Sequence, residues 1–286
     1  MTETLPIIDA HVHLWNPQQF TMPWLEDIPN LNRPFGPADY REQTGGLPIS
    51  GLVYVEVAAE AREALLEARQ IVALARTEPL IQGIVAAAQL EYGDATRPYL
   101  ESLVALSPLI KGVRRNLQDE TEAGFCLQPD FVTGVRLLAE FELSFDLCIK
   151  HWQLPAVTEL VHLCPHTAFV LDHVGKPDIK QGLLDPWRAD LGKLAALPNV
   201  SCKISGMVTE ADPTSWQTAD LEPFVSAVLD AFGEDRVLFG GDWPVMLLAS
   251  SYRRWHETLT ALTAHLPLAA RHKLWSGNAQ RFYRLG

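Results

Sequence analysis

No stretch of this 286-residue chain runs apolar for the ~18 residues that a membrane-crossing helix needs. Basic residues are the minority: 23 Lys and Arg stand against 35 Asp and Glu, for a net charge of −12. With no basic stripe, that balance argues against a nucleic-acid surface. Cysteine is scarce, four residues with no Cys-x-x-Cys pair, and Cys148 and Cys202 lie in apolar runs where a thiol acts as a small hydrophobe. A reduced, cytoplasmic protein is the expectation. Met1–Pro6 has no basic region ahead of an apolar one, so no secretion signal is expected there. There is no internal repeat beyond strand–helix alternation, no low-complexity tract, and no linker to split the chain into domains. The Gly-rich turn that a doubly wound nucleotide-binding sheet places after its first strand is also missing.

What is present is a globular composition, 48% hydrophobic and 20% charged, organised around Pro6-Ile7-Ile8-Asp9-Ala10-His11-Val12-His13. On a strand, residues two apart share a face, so Asp9, His11 and His13 are expected on one side and Ile8, Ala10 and Val12 on the other. Paired imidazoles at a strand end can grip one metal ion or one ligand oxygen.

A long Pro- and aromatic-rich segment follows, from Trp15 to about Pro48. It reads as a packed lid beside the histidines, with a short helix near Ala38–Gln43. Beyond it come seven more short apolar strands, 51–57, 80–90, 109–117, 143–151, 168–174, 200–205 and 236–240. Each alternates with a helix, such as Pro129–Phe141 with Pro in its first turn. The strands are apolar without clean alternation, as in a parallel sheet covered on both faces. Eight strand–helix units in this length predict an α/β (β/α)₈ TIM barrel, one domain over residues 1–286 with a long loop after strand one.

Such barrels carry their chemistry at the C-terminal strand ends. The polar residues there are His11 and His13, Glu56 in step with Tyr54, Arg114 and Asn116, Lys150-His151, Asp172-His173, Lys203 and Ser205, and Gly240-Gly241-Asp242-Trp243-Pro244. Packing alone gives little reason for so many polar ends, because each costs desolvation. Asp172 and Lys150 have the opposite parity to their neighbouring histidines and are expected to make salt bridges toward the helices. Arg115 is likewise expected outside. Asp242 follows two glycines, which permit close backbone approach.

Ile8-Asp9-Ala10-His11-Val12-His13, Leu171-Asp172-His173-Val174-Gly175 and Gly240-Gly241-Asp242-Trp243-Pro244, in that order, resemble the amidohydrolase superfamily, in its sugar-lactonase branch. Lys203-Ile204-Ser205-Gly206, Pro23-Trp24-Leu25 and Gly277-Asn278-Ala279-Gln280-Arg281-Phe282-Tyr283 are similar to that branch too. The resemblance implies hydrolysis of a sugar (aldono) lactone, of the L-fuconolactone or L-rhamnonolactone type, by Asp-activated water. It implies Asp242, His173 and Arg114 as catalytic residues. His11, His13, His173 and Asp242 would be ligands for at most one divalent metal, zinc first among candidates, and some lactonases of this branch work without metal. Glu56, His151, Lys203, Ser205 and Trp243 are expected to bind substrate hydroxyls. A metal-dependent decarboxylase of small acids shares the pattern and is the alternative. The partner is a small molecule, with neither nucleic acid nor membrane, and a homo-oligomer is left open.

Overall fold

The computed structural model describes residues 5–286, so most of the Met1–Pro6 expectation lies outside the described residues. Eight strands follow in chain order: β1 (Ile7–Val12), β2 (Ile49–Val55), β3 (Ile81–Ala87), β4 (Ile110–Arg114), β5 (Ser144–Leu147), β6 (Ala168–Leu171), β7 (Val200–Ile204) and β8 (Val237–Phe239). Each pairs in parallel with its sequence neighbour, in the order β1 to β8. A parallel bridge between Val12 and Trp243 and hydrogen bonds from His13 N to Trp243 O (2.7 Å) and Asp242 N to His11 O (2.9 Å) bring the last strand's end back to the first. The result is the (β/α)₈ barrel that the strand count predicts.

Two apolar layers hold it. Ile8, Ala10, Val53, Val55, Val85, Val170 and Leu238 cluster with Ala279 and Tyr283 of the C-terminal helix Asn278–Tyr283, which plugs the barrel interior. The opposite strand faces pack on the helices. In Ala64–Ala75, for example, Ala64, Glu67, Ala68 and Ile71 make a buried stripe at three- and four-residue spacing. Each large apolar side chain so enclosed contributes about 1.5–3 kcal/mol of burial.

The strands end earlier than the apolar runs suggest. β4 stops at Arg114, β5 at Leu147 and β6 at Leu171, where extended backbone was expected to Leu117, His151 and Val174. At the last of these the reason is visible: His173 and Val174 adopt left-handed φ (53° and 51°) and turn the chain out of the sheet. The long loop after β1 is ordered by a helix Pro37–Gln43 and by mutual backbone bonds of Trp15 with Phe35 (3.0 and 2.9 Å). Trp15 stacks edge-on against Trp24 and Phe35, each with ring centres 5.4 Å away. Among the described residues no helix is long and apolar enough to cross a membrane.

Candidate active site

The pairing of β1 with β2 slips between Asp9 and Val12, so three residues of β1 advance against two of β2. That bulge reverses the side-chain parity. Asp9 therefore does not share the histidines' face, which corrects the simple alternation. Its buried carboxylate accepts from Gly241 N (2.7 Å), His11 N (3.1 Å) and the Tyr252 and Tyr40 hydroxyls (2.7 and 3.1 Å). It braces the β1–β8 seam from the helix side, and burial pushes its pKa up to about 6.

Past the bulge His11 and His13 turn inward, with their Nε2 atoms 3.2 Å apart. Asp242 adopts left-handed φ (55°) and brings Oδ1 to 3.5 Å from His13 Nε2, 3.8 Å from His11 Nε2 and 3.9 Å from His173 Nε2. His173 is seated by Ser205, whose Oγ lies 3.0 Å from Nδ1, and by Gly206, where a Cβ would sit 2.4 Å from that same nitrogen. Four strand ends thus converge on one point.

Below lies a buried charge ladder. Lys203 Nζ meets Asp146 Oδ2 (2.5 Å), Asp172 Oδ1 (2.9 Å) and His11 Nδ1 (3.2 Å). Tyr283 donates to Asp146 at 2.7 Å. Burial alone would raise the Asp172 carboxyl, but Lys203 and His11 outweigh it and hold its pKa well below the ordinary range. Asp172 was expected to face the helices, and the structure reverses this. It is in step with interior Val170, while His173 reaches the cavity only because its backbone turns left-handed.

His13 Nδ1 donates to Val55 O at 2.9 Å, so its Nε2 presents a lone pair to Asp242. His11 Nδ1 lies 3.2 Å from both Asp172 Oδ1 and the Lys203 ammonium, and its Nε2 faces His13 and Asp242. Burial lowers the pKa of His11 and His173 well below the usual value, so both are neutral at pH 7. Burial pushes Asp242 the other way, but the facing His173, His13 and Lys176 outweigh it and hold it ionised. Two imidazole nitrogens and a carboxylate oxygen brought this close together suit a cation. Two donors ~2.0–2.1 Å from a tetrahedral ion stand about 3.3–3.4 Å apart; the three pairs here stand 3.2, 3.5 and 3.8 Å apart. His11, His13 and Asp242 are therefore a donor set that fits one divalent ion.

These groups open on a cavity of about 330 Å³ whose lining includes Trp15, Trp24, Ile28, Asn116, Gln118 and Lys176. Residues 8–285 match the amidohydrolase family. A curated L-fucono-1,5-lactonase from Burkholderia multivorans is 35% identical, over 97% of this chain and 96% of that one. A second, from Burkholderia ambifaria, is 31% identical over 97% and 95%. The crystal structure of an amidohydrolase from Burkholderia multivorans with bound zinc superposes with a TM-score of 0.88 at 33% identity, covering 98% of this chain and 99% of that one. The chain belongs to the amidohydrolase family.

In this amidohydrolase several residues expected at the substrate stand elsewhere. Lys203 is sealed in the ladder and does not line the cavity. Glu56, in step with outward Tyr54, takes Arg114 Nε at 2.6 Å and Ala58 N at 2.6 Å. Trp243 points away from Asp242 and packs edge-on against Tyr40 and Phe35, with ring centres 5.4 and 5.5 Å distant. His151 sits outside the cavity wall and holds Lys176 O through Nδ1 at 3.1 Å. Ser205 acts on His173. Arg114 lines the cavity, but each of its nitrogens is tied to protein: Nε to Glu56 Oε1, Nη2 to Glu56 O (2.8 Å) and Nη1 to Asp172 Oδ2 (3.4 Å). Lys176, Gln118, Cys148 and Thr209 line the cavity and were not singled out. For Lys176 a signal existed in the glycine just before it, which marks a tight turn able to bring the next side chain back beside His173.

Proposed function

We propose that this amidohydrolase opens the ring ester of a sugar (aldono) lactone, L-fucono-1,5-lactone or L-rhamnonolactone in type, with Asp242 as the general base. The supporting observation is the state of Asp242. It is held ionised, lines the cavity and faces the imidazoles through Oδ1, so that Oδ2 is the oxygen that would take a water molecule. The similarity to the two L-fucono-1,5-lactonases supports the substrate class. A cavity lined by indoles and by side-chain amides suits a ring that carries both apolar surface and several hydroxyls.

Asp242 takes a proton from water, and the oxygen attacks the ester carbonyl carbon. The tetrahedral adduct carries negative charge on the former carbonyl oxygen. Its collapse breaks the bond to the ring oxygen, which takes the proton back from Asp242 and leaves as a hydroxyl beside the new carboxylate. His11, His13 and Asp242 would hold a divalent ion, zinc first among candidates, which when bound supplies positive charge against the developing oxyanion. His173, braced by Ser205 and Gly206, keeps the carboxylate aimed. Arg114, the carboxylate-holding candidate of the decarboxylase alternative, is engaged by Glu56 and Asp172, which leaves that reading Lys176 as the cavity's other cation. A reducing cytoplasm suits the buried thiols of Cys148 and Cys202.

The test is a panel of aldonolactones followed with a pH indicator. Wild type is expected to open the L-fucono and L-rhamno members, and Asp242→Asn to lose about 10²–10⁴ in rate. A variant that keeps half the rate removes Asp242 as the base.

A further inference from the structure

Two cationic side chains line the cavity, Arg114 and Lys176, and their situations differ. Arg114 is held at all three nitrogens. The Lys176 ammonium has one hydrogen-bond partner among the described residues, the Gln118 carbonyl at 2.5 Å, and no carboxylate within 4.0 Å. Two of its three N–H groups are therefore available to whatever fills the cavity.

The backbone is strained to put it there. His173, Val174 and Lys176, none of them glycine, take left-handed φ of 53°, 51° and 48°, with Gly175 at 75° between them. A non-glycine residue in that region costs about 1–2 kcal/mol. Such strain persists only where surroundings over-determine it. Here Lys176 N donates to His173 O (2.8 Å), Trp187 Nε1 donates to Val174 O (2.8 Å), and His151 holds Lys176 O. The consequence is that residues 173 and 176, three apart in sequence, both line one cavity.

We propose that Lys176 is a catalytic residue whose ammonium hydrogen-bonds the lactone carbonyl oxygen and stabilises the negative charge that develops there, with Gln118 fixing its position. The inference rests on the lactonase reading above. It assigns to Lys176 the direct substrate contact that the motif pattern suggested for Arg114. No group is transferred: the N–H stays on nitrogen while the oxyanion forms and collapses.

The test compares wild type, Asp242→Asn, Lys176→Ala and Lys176→Gln on the lactone that wild type opens fastest. Both Lys176 variants are expected to lose 10²–10³-fold in kcat with KM changed less than about fivefold. Methylammonium added to Lys176→Ala is expected to restore at least tenfold. If the alanine variant does not fold, the glutamine variant, which keeps an N–H donor and loses the charge and one atom of reach, carries the comparison. A kcat within threefold of wild type in the folded variants, or a loss confined to KM, overturns the proposal. So does a folded Lys176→Ala that methylammonium fails to rescue. If wild type opens no lactone, or Asp242→Asn keeps its rate, the lactonase reading itself fails. If those two controls behave and the Lys176 variants stay active, only this inference fails.

Discussion

Replacing Lys203 with Met tests the buried ladder beneath His11. The side chain is fully enclosed, and its ammonium lies 2.5 Å from Asp146, 2.9 Å from Asp172 and 3.2 Å from His11. Methionine fills similar volume but leaves two buried carboxylates facing each other, with Arg114 reaching only Asp172. Breaking a buried pair this way costs about 3–5 kcal/mol. At about 2.1 cal/mol/K per residue, 286 residues have an unfolding entropy near 600 cal/mol/K, so Tm should fall by about 5–8 °C. The deficit should depend on pH. Burial already raises Asp146 to about 6 in the presence of Lys203, and without the ammonium it rises further. A carboxyl whose folded pKa lies above its unfolded value contributes stability at low pH that is lost as pH rises through the folded pKa. The variant's Tm deficit should therefore be larger at pH 8 than at pH 5, as read by thermal melts of both proteins across that range. A drop under about 2 °C at pH 8, or a deficit that does not shrink toward pH 5, would refute the role given to Lys203.

Glu67 is fully buried, accepts from Tyr54 Oη (2.8 Å) and Val57 N (3.1 Å), and is raised to about 8 by burial and then by Glu56. Its folded pKa exceeds its unfolded value, so its stabilisation is lost as pH rises toward 8, by up to about 1.4 kcal/mol per pH unit. Glu67→Gln should flatten the Tm-against-pH curve between pH 6 and 8, and an unchanged slope contradicts the assignment. Gly206→Ala combines a left-handed backbone (φ 59°) with a Cβ 2.4 Å from His173 Nδ1. The backbone conflict alone costs about 1–2 kcal/mol, and displacement of His173 should lower kcat/KM at least tenfold in a melt-and-kinetics comparison. Calorimetric titration of zinc into chelator-treated protein should show one site per chain that His13→Ala weakens at least tenfold, whereas equal binding by the variant would place the ion elsewhere.

Barrel and strand order were legible because eight apolar runs alternate with helical stripes, and burial on both faces leaves little else that pattern can be. The grouping of His11, His13, His173 and Asp242 was legible from the family resemblance that their motifs carry, on residues already marked by their places at strand ends. Which way each neighbour points was not. Asp9 and Asp172 were placed by strict alternation, and alternation fails at the β1 bulge and at the left-handed turn after Leu171. Neither has a composition signal beyond a nearby glycine. Lys203 and Glu56 were drawn to the substrate as polar strand-end residues, yet a buried ladder and a buried arginine claim them. Whether a charge faces ligand or counter-charge depends on partners 58 residues away for Glu56 and 57 for Lys203. Lys176 escaped notice because it lies past the end of β6, where Gly175 was the one local sign of the turn that returns it to the cavity.

The origin of the oxygen atom added on hydrolysis tests the central claim most directly. Wild type turning over its best aldonolactone in ¹⁸O-water should place one ¹⁸O in the product carboxylate and none in the hydroxyl that was the ring oxygen, and under single turnover none in Asp242. Label in that hydroxyl, or in the Asp242 side chain, would contradict attack on the carbonyl by water that Asp242 activates.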